Sequence, residues 1–391
     1  MLDQKPALFE EIQLRNLTLP NRIIIAPMCQ YSAIDGQATD WHLIHLGNLA
    51  QSGSGMLIIE ATAVEARGRI THGCLGLYND ESENALSKVL NTCKKYGNTP
   101  IGIQLGHAGR KASANSPHNG GTPLTEKQGS WETIAPSNIP FSNDWHRPKE
   151  MDLGLMKKVI KAHVQAVMRC ERIGFDAIEL HGAHGYLVSS FLSPIANRRT
   201  DEYGGKIENR MRFPLELFAA MRDEWPSSKP MGVRFNGTDW DDKGLIIEEA
   251  VEFAHSLKKL GCDFFDISGG GNSLSRPEVK PGYQAQFAAA IKEATGIPTM
   301  AVGMIRDPQI AERLVSDGTC DMIAIARGFL FEPRWPWKAA YELSGEGNYP
   351  EQYARANPLL WPQAFPNTPE LNNLNHSWEI GAAPHIMVPK N

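Results

Sequence analysis

Eight short apolar runs alternate with amphipathic segments through the first 340 or so residues, and no other feature constrains the fold as tightly. They occupy residues 22–27, 56–61, 100–105, 177–180, 231–235, 264–267, 299–302 and 322–325. Their apolar character is continuous rather than alternating, the pattern of strands buried on both faces of a parallel sheet. The segments between them carry helix signals. Asp152 precedes Met156, Val159, Ile160, Val164 and Val167 at helical spacing, and Gly174 stands where that helix must stop. Residues 246–260 repeat the plan, with Ile247, Val251, Ala254 and Leu257 followed by Gly261. Asp307-Pro308 pairs a capping side chain with a proline at the first helical position, and Gly318 closes that segment.

Strand then helix, eight times over, predicts an α/β fold, a single (β/α)8 TIM barrel. A doubly wound sheet is the runner-up, but it usually holds fewer strands in one unit. On this reading residues 1–346 form the barrel and residues 347–391 a C-terminal arm. Residues 106–150, rich in Ser, Asn, Pro and Gly, interrupt the third unit as an inserted loop, and they are expected to fold over the mouth of the barrel. The arm holds seven prolines and little helical pattern, which predicts an extended segment lying on this subunit or on a neighbour, with partial disorder as the alternative.

Composition narrows the function. A net charge of −5 without a Lys/Arg block gives no reason to expect a nucleic-acid or membrane partner. Six cysteines with no C-x-x-C pair argue against an iron–sulfur cluster or structural zinc, and a disulfide framework would be odd in a chain of 391 residues. The opening MLDQKPALFEEIQLRN lacks a secretory apolar core and no apolar run reaches transmembrane length, so a cytoplasmic setting is expected.

In such barrels the chemistry sits at or just past the C-terminal ends of the strands. Those positions read Pro27-Met28-Cys29, Ala61-Thr62, Gln104, His181 with His184, Arg234, Ser268-Gly269-Gly270, Gly303 and Arg327-Gly328. A site built only for stability would be aliphatic there; this one is polar, small or cationic. Gly303 lets a ligand approach the backbone and Arg327 offers a fork for phosphate oxygens, after strands seven and eight where this fold habitually binds phosphate. Taken alone, Arg327 could equally make a salt bridge at the barrel rim. Arg234 and Gln104 converge from strands five and three and suit the polar edge of a flat heterocycle. His181 and His184 have two readings: a metal pair, for which no third ligand lies nearby in sequence, or two neutral imidazoles donating to a carbonyl oxygen, with Tyr186 as a proton donor. Cys29 differs from the other five cysteines in standing at a strand end. Neither Gly53-Ser-Gly55 nor Gly269-Gly270-Gly271 has the context of a dinucleotide-binding loop.

Several motifs in order resemble the old yellow enzyme family. They are Asn21-Arg22 through Pro27-Met28-Cys29-Gln30-Tyr31, Glu60-Ala61-Thr62, Gln104-Leu-Gly-His107-Ala-Gly-Arg110-Lys111, His181-Gly-Ala-His184-Gly-Tyr186, Arg199-Thr-Asp201-Glu-Tyr203 and Asn209-Arg210. Cys29 and Tyr31 are similar to the bacterial thermophilic-like subgroup that includes xenobiotic reductases. The resemblance spans roughly residues 5–356. It implies an ene-reductase with non-covalent FMN, reduced by NADPH or NADH and reoxidised by an activated alkene. It implies FMN contacts from Pro27, Met28, Cys29, Ala61, Gln104, Arg234, Gly303, Ala326 and Arg327. His181, His184 and Tyr31 would hold the substrate oxygen, and Tyr186 would donate the proton. Arg355 resembles an arginine that enters a neighbouring subunit's site, which implies a homodimer or homotetramer. Two departures stand out: Ala326 occupies a position where glycine is common, and the chain runs on past Arg355.

Overall fold

The structure, a computed structural model, describes residues 5–343, 345–361, 378–380 and 387–389. All eight apolar runs form strands: β1 (Ile23–Ile25), β2 (Met56–Ala63), β3 (Ile101–Gly106), β4 (Ala177–Gly182), β5 (Met231–Asn236), β6 (Phe264–Ser268), β7 (Thr299–Ala301) and β8 (Met322–Ile325). They make one closed parallel barrel in chain order, and β8 pairs back onto β1 through Ile323 and Ile23. Eight outer helices complete the repeat: α1 (Asp40–Ala50), α2 (Asp80–Tyr96), α3 (Leu153–Ile173), α4 (Arg212–Glu224), α5 (Ile247–Lys259), α6 (Ala285–Thr295), α7 (Pro308–Ser316) and α8 (Trp335–Glu342).

The continuous apolar character follows from this architecture. One strand phase, including Ile25, Leu57, Ile103, Leu180 and Phe235, packs beneath the helices. The other phase, including Ile24, Met56, Ile58, Phe264, Met300 and Met322, fills the barrel. Leu14 and Leu19, from an antiparallel hairpin (Ile12–Leu14 with Leu17–Leu19), belong to that same interior cluster. The ladder of the first run stops at Ile25, short of Pro27, which has no N–H to donate.

Helix ends form as the sequence predicts. Asp152 accepts a hydrogen bond from the Leu155 N–H at 2.7 Å, and Asp307 accepts from the Gln309 N–H at 2.8 Å. Gly174 ends α3 at φ +93°, a left-handed conformation that suits glycine.

The segment between β3 and α3 is built of single helical turns and one two-residue strand pair, Ile134–Ala135 with Lys149–Glu150. It reaches across the mouth. Arg110 donates to the Asn272 carbonyl at 2.6 Å, and the His118 ring meets Tyr31 edge-on at 6.2 Å. Residues 345–361 run along their own barrel, where the Asn348 carbonyl accepts from Trp337 Nε1 at 3.0 Å. Gly53 admits that carbonyl, since a Cβ there would lie 2.2 Å from it. Further along the arm Trp378–Ile380 pairs with Met387–Pro389, and its other residues beyond 361 lie outside the described residues. Among the described residues no helix is long and apolar enough to cross a membrane.

Candidate active site

A cavity of about 440 Å³ opens at the C-terminal ends of β5 to β8. Arg234, Ser268, Gln284, Gly303, Ala326 and Arg327 line it. Gly303 adopts φ +122°, and a Cβ there would sit 2.9 Å from the Tyr283 ring, so the position requires glycine. Arg327 opens a short helix, Arg327–Phe331, with the Met304 sulfur 3.7 Å from its Nη2. No carboxylate pairs with it among the described residues, which removes the salt-bridge reading of this side chain. An unpaired guanidinium beside an open glycine backbone suits a phosphate group. Ala326 has φ −101°, so the alanine causes no left-handed strain.

His181 faces the barrel interior from β4, and His184 follows on a turn held at φ +61°. That uncommon backbone has three supports. Asn236 accepts from the His184 N–H at 3.1 Å, Lys111 Nζ donates to the His184 carbonyl at 2.8 Å, and Gly185 nests against the Gly271 carbonyl, leaving no room for a Cβ. The two imidazoles meet edge-on with centroids 5.2 Å apart, and the Tyr186 ring lies 5.0 Å from His181. Burial, then the Arg234 charge, holds both imidazoles well below the ordinary histidine range, so both are neutral. Each can therefore offer one N–H. His184 Nε2 lies 2.8 Å from Ser268 Oγ, and His181 Nδ1 accepts from the Ala183 N–H at 3.2 Å. The latter bond fixes the His181 proton on Nε2. Burial likewise pushes the Tyr186 phenol up, which keeps its proton in place. Among the described residues no group of three or more His, Cys, Asp or Glu is arranged to hold a metal.

Ala61, His181 and Tyr186 line a second, small space together with Cys74 and His107. Cys29 and Tyr31 lie close enough to Tyr186 to act on its ionisation. Burial raises the Cys29 thiol well above its usual value, so it stands there as a neutral thiol. Tyr31 adopts φ +53°, with Gly73 packed on its carbonyl. Met28 belongs elsewhere: its side chain lines a small cleft with His45, Leu46, Leu49 and Glu60. Arg355 sits on an exposed turn, Glu351–Ala356, and does not reach its own chain's cavity.

Four polar residues that sequence reasoning gave no role stand at this centre. Gln104 donates to Glu179 Oε1 at 2.7 Å, and Arg234 Nε lies 3.1 Å from Asp266 Oδ2 without hydrogen-bond geometry. Glu179 and Asp266 are thus interior neighbours of both expected cofactor contacts. Lys111 lies 5.1 Å from the Tyr186 ring and 4.5 Å from Phe141, and desolvation pushes its ammonium down to about 7. Glu60, buried beneath the Cys29 loop, accepts from the Gln30 N–H at 3.1 Å with His42 Nε2 3.5 Å away. The available signal was phase: within β4 and β6 the carboxylates fall on the interior face.

A closed barrel with an exposed arginine, an open glycine backbone and a polar interior at its mouth is a scaffold suited to a ligand that carries a phosphate. Residues 7–346 match the NADH:flavin oxidoreductase / NADH oxidase family, and the chain belongs to that family, the old yellow enzymes. It is 40% identical over 350 residues to an NADPH dehydrogenase of Geobacillus sp. (strain WCH70), covering 89% of this chain and 98% of that protein. An NADPH dehydrogenase of Bacillus cytotoxicus is also 40% identical, over 351 residues, covering 89% and 96%. Among solved structures, morphinone reductase matches with a TM-score of 0.72 at 26% identity, covering 90% of this chain and 93% of that one. A 2-naphthoyl-CoA reductase bound to 2-naphthoyl-CoA matches at 0.78 and 25% identity, but this chain spans only 52% of its length. The chain is an NAD(P)H-dependent flavin oxidoreductase.

Proposed function

We propose that this chain is an FMN-dependent ene-reductase that reduces the C=C bond of α,β-unsaturated carbonyl compounds or related activated alkenes. The observation that carries the reading is a pair of neutral imidazoles beside a protonated phenol, next to a cavity whose far end holds an unpaired arginine. When bound, FMN accepts hydride from NADPH or NADH and delivers it to the alkene. Arg327 and the open backbone at Gly303 hold its phosphate, with Ala326 adjacent. Arg234 and Gln104 meet its polar edge, while Pro27, Cys29 and Ala61 contact it from the first two strands, and Met28, whose side chain lies in the cleft beside His45, is left with at most a backbone contact. A fixed cation at Arg234 favours the electron-rich form of the cofactor.

His181 and His184 donate to the substrate's carbonyl oxygen, joined by Tyr31, which draws electron density from the double bond. Neutral imidazoles suit this task, since they bind the oxygen at physiological pH without adding two buried charges. Tyr186 gives its proton to the α-carbon. The names of the relatives support NADPH as reductant. The reading includes a cytoplasmic enzyme, supported by six free thiols, with residues 1–346 as the catalytic barrel. It also includes a homodimer or homotetramer in which Arg355 enters the partner's pocket. Exposed Trp41, Ile44 and Tyr96 on α1 and α2 support such an association.

The test separates the half-reactions. Tyr186→Phe should slow reoxidation of the reduced enzyme by a cyclic enone by about 10²–10⁴-fold, the usual contribution of a positioned acid. Flavin reduction by NADPH should stay within about twofold. Equal slowing of both halves contradicts the assignment.

A further inference from the structure

Below the mouth the barrel holds two carboxylates and one cation. Glu179 and Asp266 are 1% and 0% exposed, Arg234 is 7% exposed, and Gln104 supplies the remaining donor. Glu179 Oε1 takes the Gln104 amide, but Glu179 Oε2 and both oxygens of Asp266 have no hydrogen-bond partner. The other groups facing this level are apolar, among them Ile58, Phe264, Met300 and Met322. His181, one step up β4, is neutral, and Glu60 is turned to His42 and Gln30. Two ionised carboxylates cannot both be balanced by one guanidinium in so dry a setting.

We propose that Glu179 is a protonated carboxylic acid at neutral pH, with Asp266 as the sole counter-ion of Arg234, and that this proton positions Arg234 and Gln104 for the cofactor. The proton sits on Oε2, because Oε1 accepts from Gln104, and it supplies a donor among oxygens that otherwise only accept. Burial first, then the Asp266 charge, raises Glu179, and Arg234 opposes the shift; burial raises Asp266 too, but Asp266 has the direct contact to Arg234 and so keeps the charge. With the proton in place the cluster is neutral and the positive edge of Arg234 is free to face the cavity. Ionising Glu179 leaves the cluster with one net negative charge, which opposes electron density on a bound cofactor. Protonation belongs to the chain alone, whereas its effect on the cofactor rests on the flavin reading above.

Infrared spectroscopy of the purified protein tests the first part. A carboxylic-acid C=O band should be present at pH 6.5, absent in Glu179→Gln, and lost in Asp266→Asn, where Glu179 must ionise to pair Arg234. A band that survives unchanged in Glu179→Gln, or no such band in the wild type, overturns the proposal. A merely structural glutamate would keep its state in Asp266→Asn. The flavin midpoint potential, titrated from pH 6 to 10, tests the second part. In the alkaline window between ionisation of Glu179 in the oxidised enzyme and its ionisation in the reduced enzyme, the wild type should gain a slope of about 30 mV per pH unit, the two-electron equivalent of one proton. Glu179→Gln should lack that gain. Equal slopes with the infrared result intact would refute the coupling while leaving the flavin reading standing; absence of any bound flavin would sink that reading alone.

Discussion

Replacing Arg327 by alanine should weaken FMN binding much more than riboflavin binding. A hydrogen bond to an ionised partner contributes about 1.5–3 kcal/mol. Arg327 is exposed, so solvent screening holds the contribution to the bottom of that range, about 1.5 kcal/mol or roughly a 10-fold rise in Kd. Among the described residues Arg327 has no carboxylate partner, so its removal strands no buried acid. The assay is fluorescence quenching of each flavin on titration with apoprotein, at low and high salt. Wild type should prefer FMN over riboflavin, and the preference should shrink as salt rises. In Arg327→Ala most of the preference should vanish while riboflavin affinity stays within about twofold. A variant that still discriminates the two flavins as the wild type does would show that the phosphate is held elsewhere.

Cys29→Ala should retain FMN yet lower its midpoint potential by roughly 10–20 mV, the scale of one weak S–H contact in a two-electron couple. An unchanged potential would return Cys29 to simple packing. Arg355→Ala should weaken ligand binding several-fold without altering flavin content, read by titration with a phenolic inhibitor alongside sedimentation; unaffected affinity and assembly count against an arm that crosses subunits. His181 and His184 have folded-state values held well below 6.5, so the native state takes up fewer protons than the unfolded chain once pH falls below 6.5. Stability should therefore drop on acidification through that window, by up to about 1.4 kcal/mol per pH unit for each histidine. Melting curves of wild type and a His181→Asn/His184→Asn variant check this, and parallel pH dependence in both would refute it.

The barrel was readable because each strand is apolar on two faces: Ile23-Ile24-Ile25 alone serves the helix layer and the interior. Strand ends were readable too, since Arg234, His181, Gly303 and Arg327 reach the mouth by position. The interior polar layer was harder. Glu179 and Asp266 interrupt otherwise apolar runs by a single residue, and only the phase of β4 and β6 shows that they point inward. Lys111 reads as an ordinary solvated lysine until the inserted loop folds and brings it against the His184 carbonyl. Met28 follows Pro27 at a strand end, yet its side chain turns into the cleft beside His45, a choice made by the local backbone.

The most direct measurement is an anaerobic spectral titration of the purified protein. The flavin absorbance should be bleached by one equivalent of NADPH per site and restored by one equivalent of 2-cyclohexenone, with cyclohexanone as product. Protein without flavin, or flavin that NADPH reduces but no activated alkene reoxidises, would contradict an ene-reductase.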